Sequence, residues 1–174
     1  MFTFRFTSSI RSLLLMTCYL FYHDLGRVTL CFDNDEAGLN AIKRLCGGKM
    51  LWDIEGKYNV DIFIATLPSG IKDPAEFIED KGNTVPDNGG KLFRKEVLKK
   101  SMVWTDWYIN QIIMGYKGID EGSFATVCDR LSDFLSMFRN VGFRTKRAYE
   151  AAGVLATYIK KENGGEFRSS SGKF

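Results

Sequence analysis

Two carboxylates separated by one residue follow a short apolar run in this chain. The stretch VTLCFDNDEAG, Val28–Gly38, places Asp33 and Asp35 directly after that run. Ionised carboxylates held this close repel each other unless water, a helix N-terminus or a bound cation offsets the repulsion. A third acid, Asp73, follows a second apolar run, VDIFIATL, after a short loop. Because hard oxygen ligands suit Mg²⁺ or Mn²⁺, the pattern predicts a divalent-cation site formed by Asp33, Asp35 and Asp73.

Helix capping is the competing explanation for two of these acids. Asp35 directly precedes a predicted helix, so its side chain could cap that helix. Asp73 is followed by Pro74 and, three residues on, by Glu76, which is the pattern of a capping box. Each acid taken alone favours the cap, whereas the group of three favours the cation. The two roles are compatible, because a helix N-terminus also orients the carboxylate.

The acids must be positioned by strands and a connecting helix. Val28–Phe32 and Val60–Leu67 are short apolar runs without alternation, which is typical of strands buried on both faces. Between them, apolar residues at helical spacing predict a helix over Glu36–Cys46, ended by two glycines. Strand, helix and strand predict a βαβ unit with adjacent parallel strands. Ligands of such sheets bind beyond the carboxyl ends of the strands, where these acids lie.

The second half of the chain is predicted to be helical. A turn-rich linker over Asp80–Gly90 precedes helical patterns at Lys91–Met114, Phe124–Phe138 and Phe143–Lys161. The predicted fold class is therefore α/β, a parallel-sheet unit followed by an α-helical subdomain. The predicted divisions are an N-terminal segment 1–27, the α/β unit 28–82, the helical subdomain 91–162 and a flexible tail 163–174.

The helical part contains side chains that are predicted to be buried and basic residues that could lie at the surface. Phe124, Leu131, Phe134 and Phe138 are predicted to form one buried stripe against the helix that carries Trp104 and Trp107, and both tryptophans are interpreted as core residues. Basic residues that could contact phosphate are also the ordinary content of a solvated helix face. These basic residues are Arg94, Lys95, Lys99, Lys100, Arg144, Lys146 and Arg147.

Composition excludes several classes of protein. The 174 residues are 45% hydrophobic and 26% charged, which is ordinary for a globular protein, and the net charge of +3 permits nucleic-acid contact without requiring it. Four scattered cysteines and one histidine argue against a structural zinc site and a disulfide scaffold. Buried thiols in a reducing compartment are the favoured interpretation.

The first 27 residues have an unusual composition. They contain no acid before Asp24, carry Arg5 and Arg11, and include an apolar run, Leu13–Tyr22, that is too short for a transmembrane helix. This resembles an organelle transit peptide and predicts a chloroplast or mitochondrial location, or otherwise an intracellular one, without membrane insertion. A secretory signal and a replaced or truncated first strand are the alternatives.

Two segments together resemble a known family. LCFDNDEAGLNAIKRL, Leu30–Leu45, is similar to the acidic motif of the TOPRIM domain of bacterial-type DNA primases, and LPSGIKDPAEFI, Leu67–Ile78, is similar to a downstream segment of those primases. The motifs occur in the family's order. The resemblance covers Val28 to the end of the third helix, the second half of a primase catalytic core, and would fit an organellar homologue in a plant or another eukaryote.

The resemblance implies a function and a set of partners. TOPRIM domains of primases bind divalent metal and nucleotide and join ribonucleotides on a DNA template, so it implies Mg²⁺- or Mn²⁺-dependent nucleotidyl transfer in primer synthesis, if the chain is active. Asp33, Asp35 and Asp73 would be the metal-binding acids, and Gly38 matches the small residue that allows close packing of the following helix. Single-stranded DNA template, nucleotides and a replicative helicase would be the partners.

The chain also departs from the family. The family's motif begins with a strand ending in glutamate, ahead of the acidic motif, but no glutamate precedes Glu36 here. The catalytic residue is therefore unassigned. This departure favours a second hypothesis, a non-catalytic nucleic-acid-binding or replisome assembly module. A phosphatase of the haloacid dehalogenase type also starts from two aspartates after a strand, but those sites want Thr or Val where Ala37 stands.

Overall fold

The computed structural model describes residues 26–84, 88–116 and 120–162. The N-terminal segment 1–25, with its predicted transit peptide, and the predicted tail from 163 onward lie outside the described residues. The chain divides into two compact units, Met1–Trp107 and Tyr108–Phe174. Residues 91–107 therefore belong to the first unit, together with the sheet.

The sheet of the first unit contains the two predicted strands side by side. β1, Arg27–Cys31, pairs in parallel with β2, Asp61–Ala65, which confirms the predicted parallel arrangement. A third strand that was not predicted, β3, Met102–Val103, pairs antiparallel with the other edge of β2.

Arg27 connects the outer strands across β2. Its guanidinium lies 3.6 Å from the centroid of the Phe63 ring on β2 and donates a hydrogen bond of 2.9 Å to Ser101 Oγ, just before β3. These contacts use the cation–π attraction and a polar bond together. One side chain of β1 thus helps to hold β3 at its place in the sheet.

The connection between the parallel strands consists of two helices. The predicted helix is present as α1, Glu36–Gly47, with Ile42 and Cys46 buried. A second helix, α2, Met50–Tyr58, was not predicted; it buries Leu51 and ends at Asn59, whose backbone is left-handed at φ 50°. A left-handed asparagine after the last turn is a common way to end a helix.

The prediction of one long helix over 91–114 is wrong. The structure has α3, Pro74–Thr84, and α4, Gly89–Glu96, then a 3₁₀ turn at Leu98–Lys100, β3, and a new helix, α5, Trp104–Ile113. The break has a tertiary cause. Val97 and Leu98 pack into a core cluster with Cys31, Ala65, Leu67, Phe77 and Phe93, and the next residues pair with β2.

The second unit contains the end of α5 followed by two long helices, α6, Glu121–Ser136, and α7, Val141–Glu162. Leu131, Phe134 and Phe138 are buried as predicted, and the Phe134 ring meets the Tyr108 ring of α5 edge to face at 4.8 Å. Phe124 departs from the prediction because 42% of it is exposed. Among the described helices, none is long and apolar enough to cross a membrane.

Candidate functional site

The loop after β1 is held by the start of α1. Asp35 is the N-cap of that helix, and its Oδ1 accepts a 2.7 Å hydrogen bond from the Gly38 N–H. The Asp35 side chain therefore satisfies one of the backbone donors that a helix start leaves without an intrahelical partner. The predicted cap role of Asp35 is confirmed, and this contact fixes the direction of the loop that carries Asp33.

Gly38 is required by close packing in the same loop. A Cβ built on Gly38 would overlap the carbonyl oxygen of Asp33. The first turn of α1 therefore packs directly on the backbone of Asp33, which only glycine allows. This contact locks Asp33, a half-buried acid, in place relative to the helix.

The loop after β2 ends in a second capped helix. Asp73 Oδ1 accepts a 2.9 Å hydrogen bond from the Glu76 N–H at the start of α3, and the Glu76 carboxylate accepts one from the Lys72 N–H. Both side chains thus accept from backbone donors around the first turn, much as in a capping box. The predicted cap role of Asp73 is confirmed as well.

Asn34, which lies between the two motif aspartates, joins the two loops. Its N–H donates to the Lys72 carbonyl at 2.6 Å, and its Nδ2 donates to the carbonyls of Ile71 at 3.1 Å and Pro68 at 3.3 Å. Asn34 was not among the site residues predicted from the sequence. The loop that contains Asp33 and Asp35 is thereby fastened to the residue directly before Asp73.

A cleft of about 280 Å³ opens at the carboxyl ends of β1 and β2. Asp33, Asp35 and Glu36 line it together with apolar residues such as Leu39 and Trp107, whereas Asp73 is not among its lining residues. The position is the one where open parallel sheets bind ligands. Glu36 is a third carboxylate at this cleft and was not among the predicted site residues.

The acids of the cleft form a small set of possible cation ligands. The described residues contain no cluster of three or more His, Cys, Asp or Glu side chains that could hold a metal by itself. Mg²⁺, however, commonly takes only one or two protein carboxylates and completes its shell with water and phosphate oxygens. Asp33 and Asp35, which line the same cleft, supply a donor set of that size.

Comparison with known proteins relates this chain to one class of enzyme. The chain is 27% identical over 135 residues to a DNA primase of Synechococcus elongatus and 29% identical over 118 residues to a DNA primase of a Synechocystis species. The matches cover 78% and 68% of the chain, but only 18% and 17% of the relatives, so the chain spans under a fifth of their length. No family model matches the chain.

The chain has a primase-like relationship. The basic residues that the sequence predicted in the first unit lie at its surface. Arg94 and Lys95 on α4 and Lys99 and Lys100 on the following turn are all exposed. Their exposure leaves them accessible to a phosphate backbone.

Some of the basic residues of the second unit form ion pairs within the same helix. On α7, Arg147 Nη1 lies 2.8 Å from Glu150 Oε2, and Lys146 Nζ lies 3.9 Å from Glu150 Oε1. Two of the three cations predicted there therefore share one carboxylate, which offsets one of their two charges. Arg144, the third, is half-buried.

Two thiols and one carboxylate have shifted pKa values. Burial raises the pKa of Cys46 to about 12, and burial followed by the charge of Asp33 raises the pKa of Cys31 to about 12. Burial also raises the pKa of Glu55, against hydrogen bonds with Trp104 and the Ile62 N–H that lower it. Ile62 lies near the amino end of β2, so Glu55 stands at the opposite end of the strand from the cleft.

Proposed function

We propose that this chain is part of a primase-related protein that acts in DNA replication, and that its cleft binds a divalent cation together with nucleotide phosphates. The observation that carries the proposal is the similarity to two DNA primases over more than two thirds of the chain. The cleft adds support because its acids lie at the carboxyl ends of parallel strands. The finer proposal is a TOPRIM-like site for primer synthesis on single-stranded DNA.

The three aspartates have different parts in this proposal. Asp33 is the half-buried acid that caps no helix in the described part of the chain, so its carboxylate is the first candidate ligand. Asp35 uses Oδ1 for its cap and keeps Oδ2 for a cation. Asp73 caps α3 and does not line the cleft, so it would reach a cation there only if its loop moved.

A bound Mg²⁺ or Mn²⁺ would supply Lewis-acid chemistry, lowering the pKa of an attacking 3′-hydroxyl and offsetting charge on the leaving pyrophosphate. The residues of the chain would position the ligands of the cation. Asn34 fastens the loop after β1 to the loop after β2, and the close contact at Gly38 fixes the backbone of Asp33. We assign no proton transfer to Asp33, Asp35 or Asp73.

The first prediction is that Mn²⁺ binds the cleft through Asp33. Calorimetric titration of the full chain should show saturable binding, and Asp33→Asn should abolish it, because one neutral amide replaces an anionic ligand. Asp35→Asn should weaken it while keeping the cap, since asparagine caps as well as aspartate. Metal should also raise the thermal midpoint of the wild type but not of Asp33→Asn, because a ligand of the folded state stabilises that state.

Asp120 provides a matched control. It caps α6 with the same geometry, a 2.7 Å bond from the Ser123 N–H to Asp120 Oδ1, but it belongs to the second unit. Asp120→Asn should leave Mn²⁺ binding unchanged. Absence of saturable binding at millimolar metal would contradict the cation site. Retained binding of single-stranded DNA without any effect of metal would then favour the non-catalytic nucleic-acid-binding module.

A further inference from the structure

A large apolar groove in the second unit has no role in the proposed function. It has a volume of about 850 Å³ and runs between α6 and α7. Leu131 and Leu135 of α6 and Ala151 and Leu155 of α7 form its buried base. An exposed apolar groove of this size is typical of a site where another apolar surface docks.

The helix α7 is poorly covered by its own unit. Among residues 141–160, only Ala151 and Leu155 are buried, although the helix is 22 residues long. The groove wall on this helix includes Ala148, Ala152 and Ala156, which recur at four-residue spacing. These short side chains leave room for a second backbone to approach closely along the helix.

The length of the groove favours a helix over a small molecule. Its lining on α7 extends from Arg144 to Lys160, a rise of about 24 Å at 1.5 Å per residue. Its lining on α6 extends from Phe124 to Ser136. An elongated apolar trough between two helices matches the way amphipathic helices bind, with an apolar stripe laid into the groove.

The charges at the groove specify the kind of helix. Its charged lining residues are Arg144 and Lys160, both cationic, and they stand at the two ends of the α7 wall. Lys146 and Arg147 share Glu150, but within the described residues Arg144 and Lys160 form no ion pair. Since the chain itself carries a net charge of +3, a second copy is a poorer match than an acidic partner.

We propose that the groove between α6 and α7 binds an amphipathic helix of a partner protein, with an apolar face for the groove and acidic residues at both ends. The apolar face would cover Leu131, Leu135 and Leu155, and the acidic ends would meet Arg144 and Lys160. This site is independent of the metal cleft, because every residue that lines it belongs to the second unit.

The test uses two synthetic helical peptides of about 16 residues, long enough to span the groove at the rise of an α-helix. Both carry leucine along one face; one has glutamate at both ends and the other has lysine. Fluorescence anisotropy with the full chain should show tighter binding of the glutamate peptide. Charge reversal in the double variant Arg144→Glu/Lys160→Glu should weaken that peptide by about tenfold and favour the lysine peptide.

A matched pair of variants locates the binding. Ala152 and Thr157 are both exposed on α7, but only Ala152 lines the groove. Ala152→Glu should abolish binding of the glutamate peptide, whereas Thr157→Glu should preserve it, with circular dichroism showing that both variants fold. Equal binding of the two peptides, or equal effects of the two substitutions, would overturn the proposal. A concentration-dependent dimer in sedimentation that excludes the peptide would also overturn it, in favour of a second copy.

Discussion

At the scale of single residues, Gly38 has the clearest structural requirement. Gly38→Ala should destabilise the protein by about 1–3 kcal/mol, because the new methyl group would overlap the Asp33 carbonyl and force the helix start to move. The free energy of unfolding in urea measures this. The same shift should weaken any cation bound at Asp33.

Gly56 is the control for Gly38. It lies in α2, where a Cβ would meet nothing within 4 Å. Gly56→Ala should stabilise the protein by about 0.5–1 kcal/mol, because alanine favours the helix. Opposite signs for the two substitutions are expected. A stabilised Gly38→Ala variant would contradict the close contact.

The half-buried carboxylate of Glu55 predicts a pH dependence. Burial raises the pKa of Glu55, so the folded state binds a proton more tightly than the unfolded state. The free energy of unfolding from this group is therefore greatest below the unfolded pKa and falls as the pH rises through the folded pKa. Glu55→Gln removes that titration, and glutamine can still accept the 3.3 Å bond from the Ile62 N–H.

Urea unfolding of wild type and Glu55→Gln across pH measures the effect. Relative to the wild type, the variant should gain stability as the pH rises from acid to neutral, because it avoids the cost of a half-buried charge. A difference between the two proteins that is the same at every pH would show that Glu55 does not titrate differently on folding.

At the scale of elements, local pattern was enough for some segments and not for others. β1, β2, α1 and α6 could be predicted because each carries its own apolar run or helical spacing. The break before α5 could not, because it depends on β3 pairing with Phe63 and Ile64, far away in sequence. Only contacts across the unit end that helical pattern, which contains neither glycine nor proline near the break.

In the candidate site, too, some features follow from local sequence and others depend on contacts between distant segments. The positions of Asp33 and Asp35 after a strand, and the caps formed by Asp35 and Asp73, follow from sequence spacing. The role of Asn34 does not, because its partners Pro68, Ile71 and Lys72 lie more than 30 residues away. From the sequence alone, Asn34 cannot be distinguished from any other polar loop residue.

At the scale of the whole molecule, the two units differ in how their cations are balanced. The first unit exposes Arg94, Lys95, Lys99 and Lys100, whereas Lys146 and Arg147 in the second unit share Glu150. A cation that already has an anionic partner gains less from a phosphate. If the chain contacts nucleic acid as proposed above, the first unit should supply more of the binding free energy.

This difference predicts the salt dependence of single-stranded DNA binding. Lys99→Glu/Lys100→Glu should weaken binding and reduce the slope of log K against log salt by about 1.4, because each lost phosphate contact removes about 0.7 from the slope.

The control, Arg139→Glu/Lys146→Glu, makes the same change in net charge on exposed residues of the second unit. It should change both the affinity and the slope much less, because Lys146 already shares Glu150 and the second unit is expected to contact the strand less. Anisotropy of a labelled oligonucleotide at several salt concentrations measures both quantities. Equal slopes for the two double variants would mean that the exposed cations of the first unit are a solvated surface, and that this chain does not hold a template through them.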